Sequence, residues 1–307
     1  MPKIALVIGY GSIGKKHAKI LKSLKEVDEV AVLTSQKKIP YRQINSFNEI
    51  KRLNPFYIII ASPTDKHNEQ LRFLEENFSK KKILVEKPLF EKIYNLKIKK
   101  NKVYIGYNLR FNPLIIFIKK ILKKINVIFV SVYCGYYLPY WRKNIPYTKS
   151  YSASRIKGGG VILDLSHEID YITHIFGKIK IINFIKKKIS NLDISSEDFF
   201  FLNGTSKKSK IVQISLNYIS KKKIRDIKIE TNKFGLYGDI VNNKLEIVYK
   251  NKTKVKKWKN DKNFLETYKK QHLAIIKDKN KELLCNFNEG FRIFKFLNKL
   301  KYLKDQK

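Results

Sequence analysis

A lysine held between an acid and a proline is the side chain in this sequence with the clearest chemical potential. Lys87 lies in Val85-Glu86-Lys87-Pro88, at the end of a short apolar run. Lysine is charged near neutral pH because its pKa is about 10.4. An ammonium group here could hold and polarise a substrate oxygen and stabilise negative charge that develops on it. Lys87 is therefore the first candidate catalytic residue.

A glycine-rich turn about seventy residues earlier supplies a context for that chemistry. Gly9-Tyr10-Gly11-Ser12-Ile13-Gly14 follows the apolar run Ile4–Ile8 and opens a pattern of helical spacing. Glycines so placed permit a tight turn, close approach of the backbone to a pyrophosphate and close packing of helix on sheet. The N–H groups that open the helix would face the phosphates. An ordinary glycine-rich turn is the alternative. The predicted cofactor contacts in this turn are Gly9, Gly11, Ser12, Ile13 and Gly14.

The acidic residue that usually holds the ribose of NAD is missing about twenty residues further on. The second strand signal ends in Leu33-Thr34-Ser35-Gln36-Lys37-Lys38. The hydroxyl groups of Thr34 and Ser35 and the neighbouring lysines would tolerate a 2′-phosphate, so the sequence favours NADP over NAD. NAD stays open as the alternative, because lysine occurs throughout the chain.

Further cofactor contacts are predicted where two later strands end. Ala61-Ser62-Pro63-Thr64-Asp65-Lys66-His67 closes an apolar run that begins at Phe56, at the carboxyl edge where ligands bind in parallel sheets. Thr64-Asp65 is also a candidate cap for a helix running to about Phe78. For His67, a role in packing or capping is an equal alternative. The predicted contacts from these strand ends are Ser62, Pro63, Thr64, His67 and Glu86.

A second chemical cluster follows Gly158-Gly159-Gly160, in a segment predicted as one helix from Val161 to Phe176. Asp164 and His167 are three residues apart, which places them on one face of a helix. An acid beside a histidine can orient the imidazole and hold its pKa in a range useful for proton transfer. Both residues are therefore catalytic candidates, with a capping acid and a structural histidine as the alternative.

The elements that must position these residues follow two successive patterns. Through the first hundred residues, strand signals alternate with helical ones, which predicts right-handed crossovers and a parallel, doubly wound sheet. After Asn112-Pro113, a series of strand signals predicts an α+β domain built on an open, mostly antiparallel sheet. The predicted fold class is α/β, with a dinucleotide-binding domain over residues 1–110 and a second domain over residues 111–307.

The composition narrows the class of protein. A net charge of +39 by itself suggests nucleic-acid binding, but only eight of the 65 basic residues are arginine, the residue preferred for reading bases. Lysine is instead spread along the whole chain, as a biased codon usage would give, and it would attract anionic cofactors and substrates. We therefore expect no nucleic-acid partner.

The cysteines and the lengths of the apolar runs indicate where in the cell the protein is located. Cys134 and Cys285 are far apart and show no metal-ligand spacing, which fits a reducing compartment. No run reaches about 18 apolar residues, and the N-terminus lacks the features of a signal peptide. We expect a cytoplasmic protein with no metal site and no membrane contact.

With these motifs in place, the chain resembles the Gfo/Idh/MocA oxidoreductases, the family of glucose-fructose oxidoreductase and inositol dehydrogenase. The resemblance covers nearly the whole length and rests on the order and spacing of five motifs. These are the glycine turn, Ala61-Ser62-Pro63-Thr64 with His67, Glu86-Lys87-Pro88, Gly106-Tyr107-Asn108-Leu109-Arg110-Phe111 and residues 158–170. It implies an N-terminal Rossmann domain that binds NAD(P). It also implies a C-terminal domain that binds substrate and forms a homodimer or homotetramer through its open sheet.

The resemblance also implies roles for individual residues. Lys87 would hydrogen-bond the reacting oxygen, His167 would exchange the hydroxyl proton, and Asp164 would assist it. Asn108 and Arg110 would contact the substrate. One departure concerns Asp164: many family members place the acid and the histidine four residues apart, as D-x-x-x-H, whereas here they are three apart.

A subgroup of the family, encoded among surface-polysaccharide and nonulosonic-acid sugar genes, is similar in two aromatic segments. These are Tyr137-Leu138-Pro139-Tyr140-Trp141-Arg142 and Tyr147-Thr148-Lys149-Ser150-Tyr151-Ser152. Aromatic faces with an arginine and hydroxyl groups suit a sugar that carries carboxylate or phosphate. Arg142, Tyr147 and Tyr151 are therefore candidate substrate contacts, with a packed loop as the alternative.

Taken together, the sequence predicts an NAD(P)-dependent dehydrogenase or reductase that acts on a hydroxyl- or carbonyl-bearing carbon of a sugar or sugar derivative. Two alternatives stay open. One is an NADPH-dependent reductase of a non-sugar C=N or C=C bond, and the other is a cofactor-binding protein without turnover.

Overall fold

A computed structural model describes residues 2–142, 145–156, 158–259, 261 and 264–303. The chain divides into two compact units, the first comprising Met1–Phe111 and Leu265–Asn298, the second Asn112–Phe264 and Lys299–Lys307. The sequence division at residue 110 had assigned residues 265–298 to the second domain. The structure assigns them to the first unit, because they add a strand to its sheet and pack a helix against it.

The helices and strands have well-defined bounds. As far as residue 111 they are β1 Ile4–Ile8, α1 Ser12–Lys22, β2 Glu29–Leu33, β3 Arg42–Ile44, α2 Phe47–Leu53, β4 Tyr57–Ile60, α3 His67–Asn77, β5 Lys82–Val85 and β6 Lys102–Ile105. Residues 112–264 form α4 Pro113–Ile121, β7 Val127–Gly135, α5 Val161–Asp164, α6 His167–Phe176, β8 Lys180–Lys187, β9 Phe199–Ser206, β10 Ser209–Asn217, β11 Ile224–Thr231, β12 Gly235–Asp239, β13 Lys244–Tyr249 and β14 Lys252–Lys257. The remainder forms α7 Leu265–Lys277, β15 Cys285–Asn286 and α8 Phe287–Tyr302.

The first unit is a Rossmann domain. Within the described residues its sheet has the order β3-β2-β1-β4-β5-β6-β15, in which β1 to β6 run parallel and β15 pairs antiparallel with β6. Strands β1 and β4 are buried over their whole length, as expected for strands covered on both faces. This confirms the predicted parallel, doubly wound sheet, and its order brings the carboxyl ends of β1, β4 and β5 side by side.

The second unit contains the predicted open, mostly antiparallel sheet. Its described strands have the order β14-β13-β12-β11-β7-β10-β9-β8, and all neighbours run antiparallel except β7 and β10. Alternate residues on its strands are buried; on β10, for example, these are Val212, Ile214 and Leu216. Period-two burial places one face of the sheet on a core and leaves the other face accessible.

The helix predicted from Val161 to Phe176 is interrupted. It forms α5 and α6, because Leu165 leaves the helical region with φ −100° and ψ +30°. Asp164 therefore ends one helix and His167 begins the next. The assumption that both lie on one face of a single helix was wrong.

Among the described residues, no helix is both long enough and apolar enough to cross a bilayer.

Candidate functional site

Two glycines of the glycine turn are required by packing inside the first unit. Gly9 ends β1 with φ +95°, and a Cβ atom there would lie 2.6 Å from the backbone of Ser62, which follows β4. A Cβ atom at Gly14 would overlap the carbonyl oxygen of Gly9. These contacts let β1 and α1 pack closely, the role predicted for glycine in such a turn.

Gly11 differs from Gly9 and Gly14, because no part of the described protein fills the space beside its Cα atom. A Cβ atom at Gly11 would meet no heavy atom of the described chain within 4 Å. Gly11 is also the N-cap of α1, and within the described residues neither a capping side chain nor a first-turn acid occupies that helix end. An open approach to unfilled helix N–H groups, including those of Ser12 and Ile13, fits the pyrophosphate of a dinucleotide.

The end of β2 is tied to the glycine turn by a residue that the sequence did not single out. Gln36 Nε2 donates to the carbonyl oxygen of Tyr10 over 3.1 Å, and the Gln36 backbone N–H donates to Thr34 Oγ1. The Thr34 hydroxyl is therefore engaged in the turn, whereas Ser35 is exposed.

His67 is buried at the start of α3 and contacts backbone carbonyl groups on both sides of its ring. Nε2 lies 3.0 Å from the Ser62 oxygen, and Nδ1 lies 3.2 Å from the oxygens of both Pro88 and Leu89. Burial lowers the pKa of His67. These contacts favour the packing role and fasten the turn after β4 to the segment that carries Lys87.

The rest of the turn after β4 departs from the sequence prediction. Ser62 Oγ donates to Gln70 Oε1 over 2.6 Å, so this hydroxyl also has a protein partner. Pro63 precedes a single 3-10 turn, Thr64–Lys66, before α3 begins. Neither Thr64 nor Asp65 caps α3. Its N-cap is Lys66, whose side chain forms no capping hydrogen bond. The predicted capping role was wrong.

Glu86 faces the interior of the first unit. Its Oε2 accepts the backbone N–H of Lys87 over 3.1 Å, and its Oε1 lies 3.0 Å from His17 Nε2 on α1. Gly106 makes room for this carboxylate, since a Cβ atom there would lie 2.7 Å from Glu86 Oε1. Glu86 was predicted as a cofactor contact, and in the structure its side chain holds the Lys87 backbone.

Asn108 and Arg110, predicted as substrate contacts, are buried in a 3-10 turn of the first unit. Asn108 Nδ2 donates to Thr267 Oγ1 over 2.6 Å, and Arg110 forms an ion pair with Glu289 at 2.8 Å. Both partners belong to residues 265–298. The two side chains therefore bind residues 265–298 to the first unit. The sequence alone could not show this role, because the partners lie more than 150 residues away.

Asp164 is held by two tyrosines in the second unit. Its Oδ1 accepts from the hydroxyl of Tyr151 and its Oδ2 from that of Tyr218, each over 2.6 Å. The carboxylate raises the pKa of Tyr151, and burial followed by the same carboxylate raises that of Tyr218. Tyr151 was predicted as a substrate contact. Tyr218, at the end of β10, was missed because nothing in its local sequence marks it.

An aromatic and cationic cluster surrounds these tyrosines. The guanidinium of Arg142 lies 5.3 Å from the Tyr151 ring centre, and Trp141 packs edge-to-face on Tyr218 at 5.2 Å. Tyr147 accepts the backbone N–H of Asp193 through its hydroxyl. A small cavity is lined in part by Trp141, Arg142 and Tyr147. The structure thus brings Asp164, Arg142 and Tyr151 together in the second unit.

We expect Asp164→Ala to lower the free energy of unfolding by about 2 kcal/mol, because it leaves the hydroxyl of the buried Tyr218 without an acceptor and removes the partner of the more exposed Tyr151. Asp164→Asn should cost less, since the amide keeps one acceptor oxygen. Urea denaturation of both variants, with the exposed Asp193→Ala as control, measures this. Equal effects for Asp164→Ala and Asp193→Ala would contradict the assigned hydrogen bonds.

The first unit of the chain is similar to a known family of proteins. Residues 4–103 match the model of an oxidoreductase family with an NAD-binding Rossmann fold, designated GFO_IDH_MocA. A search of curated protein sequences found no match.

Solved structures share the fold at low identity. An oxidoreductase from Agrobacterium radiobacter, in complex with NAD+, L-tartaric acid and magnesium, has a TM-score of 0.79 at 13% identity, covering 97% of this chain and 95% of that one. The UDP-N-acetylglucosamine 3-dehydrogenase GnnA from Acidithiobacillus ferrooxidans has a TM-score of 0.73 at 14% identity, covering 98% and 97%. The transcriptional regulator Gal80p from Kluyveromyces lactis has a TM-score of 0.80 at 14% identity, covering 97% and 88%.

These findings confirm the resemblance drawn from the sequence motifs. Structures at such low identity show the fold and not the activity, so the likeness to this family rests on the match over the Rossmann domain. Through residues 4–103, the chain matches the Gfo/Idh/MocA oxidoreductase family, whose model describes an NAD-binding Rossmann fold.

Proposed function

We propose that this protein is an NAD(P)-dependent dehydrogenase or reductase that acts on a hydroxyl- or carbonyl-bearing carbon of a sugar or sugar derivative, in the synthesis of surface-polysaccharide sugars. The observation that carries the proposal is the shared edge of one parallel sheet. The open glycine turn follows β1, and Lys87 follows β5, with only β4 between these strands. Ligands of such sheets bind at this carboxyl edge.

In the proposed reaction, a bound nicotinamide supplies or accepts the hydride. The chain's own groups manage the rest. The first N–H groups of α1 bind the pyrophosphate, and the Lys87 ammonium group binds the substrate oxygen and stabilises negative charge that develops on it. His167 gives or takes the hydroxyl proton, and Asp164 is proposed to support it by fixing the surrounding structure through Tyr151 and Tyr218.

The proposed cofactor is NADP in preference to NAD. The turn after β2 offers the exposed Ser35 and Lys37 where NAD-specific domains place an acid on the ribose. A 2′-phosphate would be attracted to such a site by charge.

The substrate proposed here is an anionic sugar derivative. Support comes from Arg142 beside Tyr151 in the second unit, a combination of donor and aromatic face that suits a sugar with a carboxylate or phosphate group. A dehydrogenase of the nucleotide sugar UDP-N-acetylglucosamine is among the structures that share the fold.

The proposal is tested by cofactor titration followed by a substrate screen. We expect NADPH to quench the fluorescence of Trp141 and Trp258 with an affinity about tenfold higher than that of NADH. We further expect nucleotide sugars or acidic sugars to drive oxidation or reduction of the cofactor, measured at about 340 nm. Tighter binding of NADH would contradict the cofactor preference. Turnover confined to imines or activated C=C bonds would favour the non-sugar reductase.

A cofactor-binding protein without turnover is the second candidate. It is favoured by the structural similarity to Gal80p, which is described as a transcriptional regulator. Tight cofactor binding with no turnover in the whole screen would support this candidate and contradict the first.

The assembly and location are also proposals. The strand registers place Tyr133, Ile185 and Tyr237 on one face of the open sheet, and all three are exposed. This face is proposed to form a homodimer or homotetramer. The two buried, free cysteines are compatible with the proposed cytoplasmic location.

A further inference from the structure

Four buried polar side chains of the first unit form a continuous hydrogen-bonded chain that ends at Glu86. Tyr57 Oη lies 2.8 Å from His272 Nδ1, and His272 Nε2 lies 2.9 Å from His17 Nδ1. His17 Nε2 in turn lies 3.0 Å from Glu86 Oε1. Tyr57, His17 and His272 are fully buried, and Glu86 is 6% exposed. We refer to these four residues as the Tyr57–Glu86 chain.

The chain joins four separate elements. Tyr57 lies on β4, His272 on α7, His17 on α1, and Glu86 directly after β5. Its far end is the carboxylate that accepts the backbone N–H of Lys87. The structure therefore connects Lys87 with α1, the helix that opens at the glycine turn, through one set of hydrogen bonds.

Counting protons gives the chain a direction. Burial raises the pKa of Tyr57 well above its ordinary value and lowers that of His272 well below its own, so the phenol is protonated and this imidazole is neutral. If Tyr57 donates to Nδ1 of His272, then His272 carries its proton on Nε2 and donates to His17 Nδ1. His17 then carries its proton on Nε2 and donates to the Glu86 carboxylate. Every contact has one donor and one acceptor.

The opposite arrangement leaves buried groups unsatisfied. If Nδ1 of His272 donates to Tyr57, the phenol proton has no acceptor, because His272 is the hydrogen-bond partner of Tyr57 among the described residues. Burying an unpaired donor or acceptor is costly, so the direction from Tyr57 to Glu86 is favoured.

We propose that the Tyr57–Glu86 chain is a directional hydrogen-bond relay that fixes Glu86 as the acceptor for the Lys87 backbone. Tyr57, His272 and His17 are thereby positioning residues for Lys87. The inference rests on the proposed function only in taking Lys87 as the group that binds substrate oxygen. Because the relay is anchored on α1, it also makes the position of Lys87 depend on the helix that opens the predicted pyrophosphate site.

The first test reads the imidazole protons without any assay of activity. In protein labelled with 15N at histidine and held at about pH 8, we expect His17 and His272 each to carry a proton on Nε2 and none on Nδ1. Spectra of Tyr57→Phe and His272→Gln provide the assignments. A proton on Nδ1 of His272 would overturn the proposed direction.

The second test uses Tyr57→Phe, which removes one hydroxyl and keeps the ring. We expect faster hydrogen exchange of the Lys87 amide and about tenfold lower turnover, with unchanged affinity for the cofactor. Tyr104→Phe is the matched control, because it removes a hydroxyl from β6 of the same sheet that is not a member of the relay. Exchange at Lys87 that stays at the wild-type rate would overturn the positioning role.

The two tests separate failure of the relay from failure of the proposed function. Expected tautomers and faster Lys87 exchange in Tyr57→Phe would support the relay even if the substrate screen found no turnover. Turnover that Tyr57→Phe leaves unchanged, in an enzyme whose Lys87 is required, would contradict the relay alone.

Discussion

Replacement of Lys87 by alanine is expected to lower turnover by about 10³-fold while the affinity for cofactor stays near that of the wild type. The ammonium group is assigned to the substrate oxygen, where charge develops during hydride transfer, so its loss should act on the chemical step. Its backbone N–H would remain bonded to Glu86, so the local structure should be retained. Steady-state kinetics and cofactor titration by tryptophan fluorescence measure the two quantities separately.

Lys66→Ala is the matched control for Lys87→Ala. Lys66 follows β4 at the same edge of the sheet, is exposed, and carries the same charge. A general electrostatic attraction of anionic ligands would make both variants lose activity to a similar extent. A specific role at the reacting oxygen confines the loss to Lys87→Ala, and wild-type turnover in that variant would remove Lys87 from the proposed mechanism.

Gly11→Val should weaken cofactor binding by about 100-fold and leave the free energy of unfolding within about 0.5 kcal/mol of the wild type. The backbone of Gly11 is extended, with φ −71° and ψ −170°, which a branched residue adopts readily. Apart from its chain neighbours, a Cβ atom there meets no heavy atom of the described residues within 4 Å, so the added side chain extends into the space proposed for the pyrophosphate. Isothermal titration with NADPH and urea denaturation check the two parts.

Gly9→Ala provides the complementary control within the same turn. Its φ of +95° and the 2.6 Å approach to Ser62 predict a loss of about 3 kcal/mol in the free energy of unfolding. The two substitutions thus distinguish a glycine kept for the ligand from one kept for the fold. Undiminished cofactor binding by Gly11→Val would exclude the pyrophosphate from this place.

The parallel sheet and the glycine turn were predictable because their signals are local. Ile4–Ile8 is a continuous apolar run, and such a run bounded by glycine indicates a strand buried on both faces. The short strand β3, the helix α2 and the exposed strand β14 were not predicted, since each is short or rich in polar residues. The strands β3 and β14 form by pairing with β2 and β13, and α2 begins at the capping side chain of Ser46.

The candidate sites were predictable only in part, for a related reason. Lys87 and the glycine turn stand beside strand signals, so the sequence marks their place. The hydrogen bonds to Asp164 come from Tyr151 and Tyr218, and His17 meets His272 across 255 residues. Helical spacing suggested a pairing of Asp164 with His167, but a two-residue interruption between α5 and α6 changes the orientation that this spacing implied.

The return of residues 265–298 to the first unit has a consequence for synthesis of the chain on the ribosome. Residues 1–111 are translated before residues 265–298, and until then they lack the edge strand β15 and the partners of Asn108 and Arg110. Until β15 has been translated, β6 remains an unpaired strand edge, which is prone to associate with other chains. The Rossmann unit is a discontinuous domain, completed only after the intervening second unit has been translated.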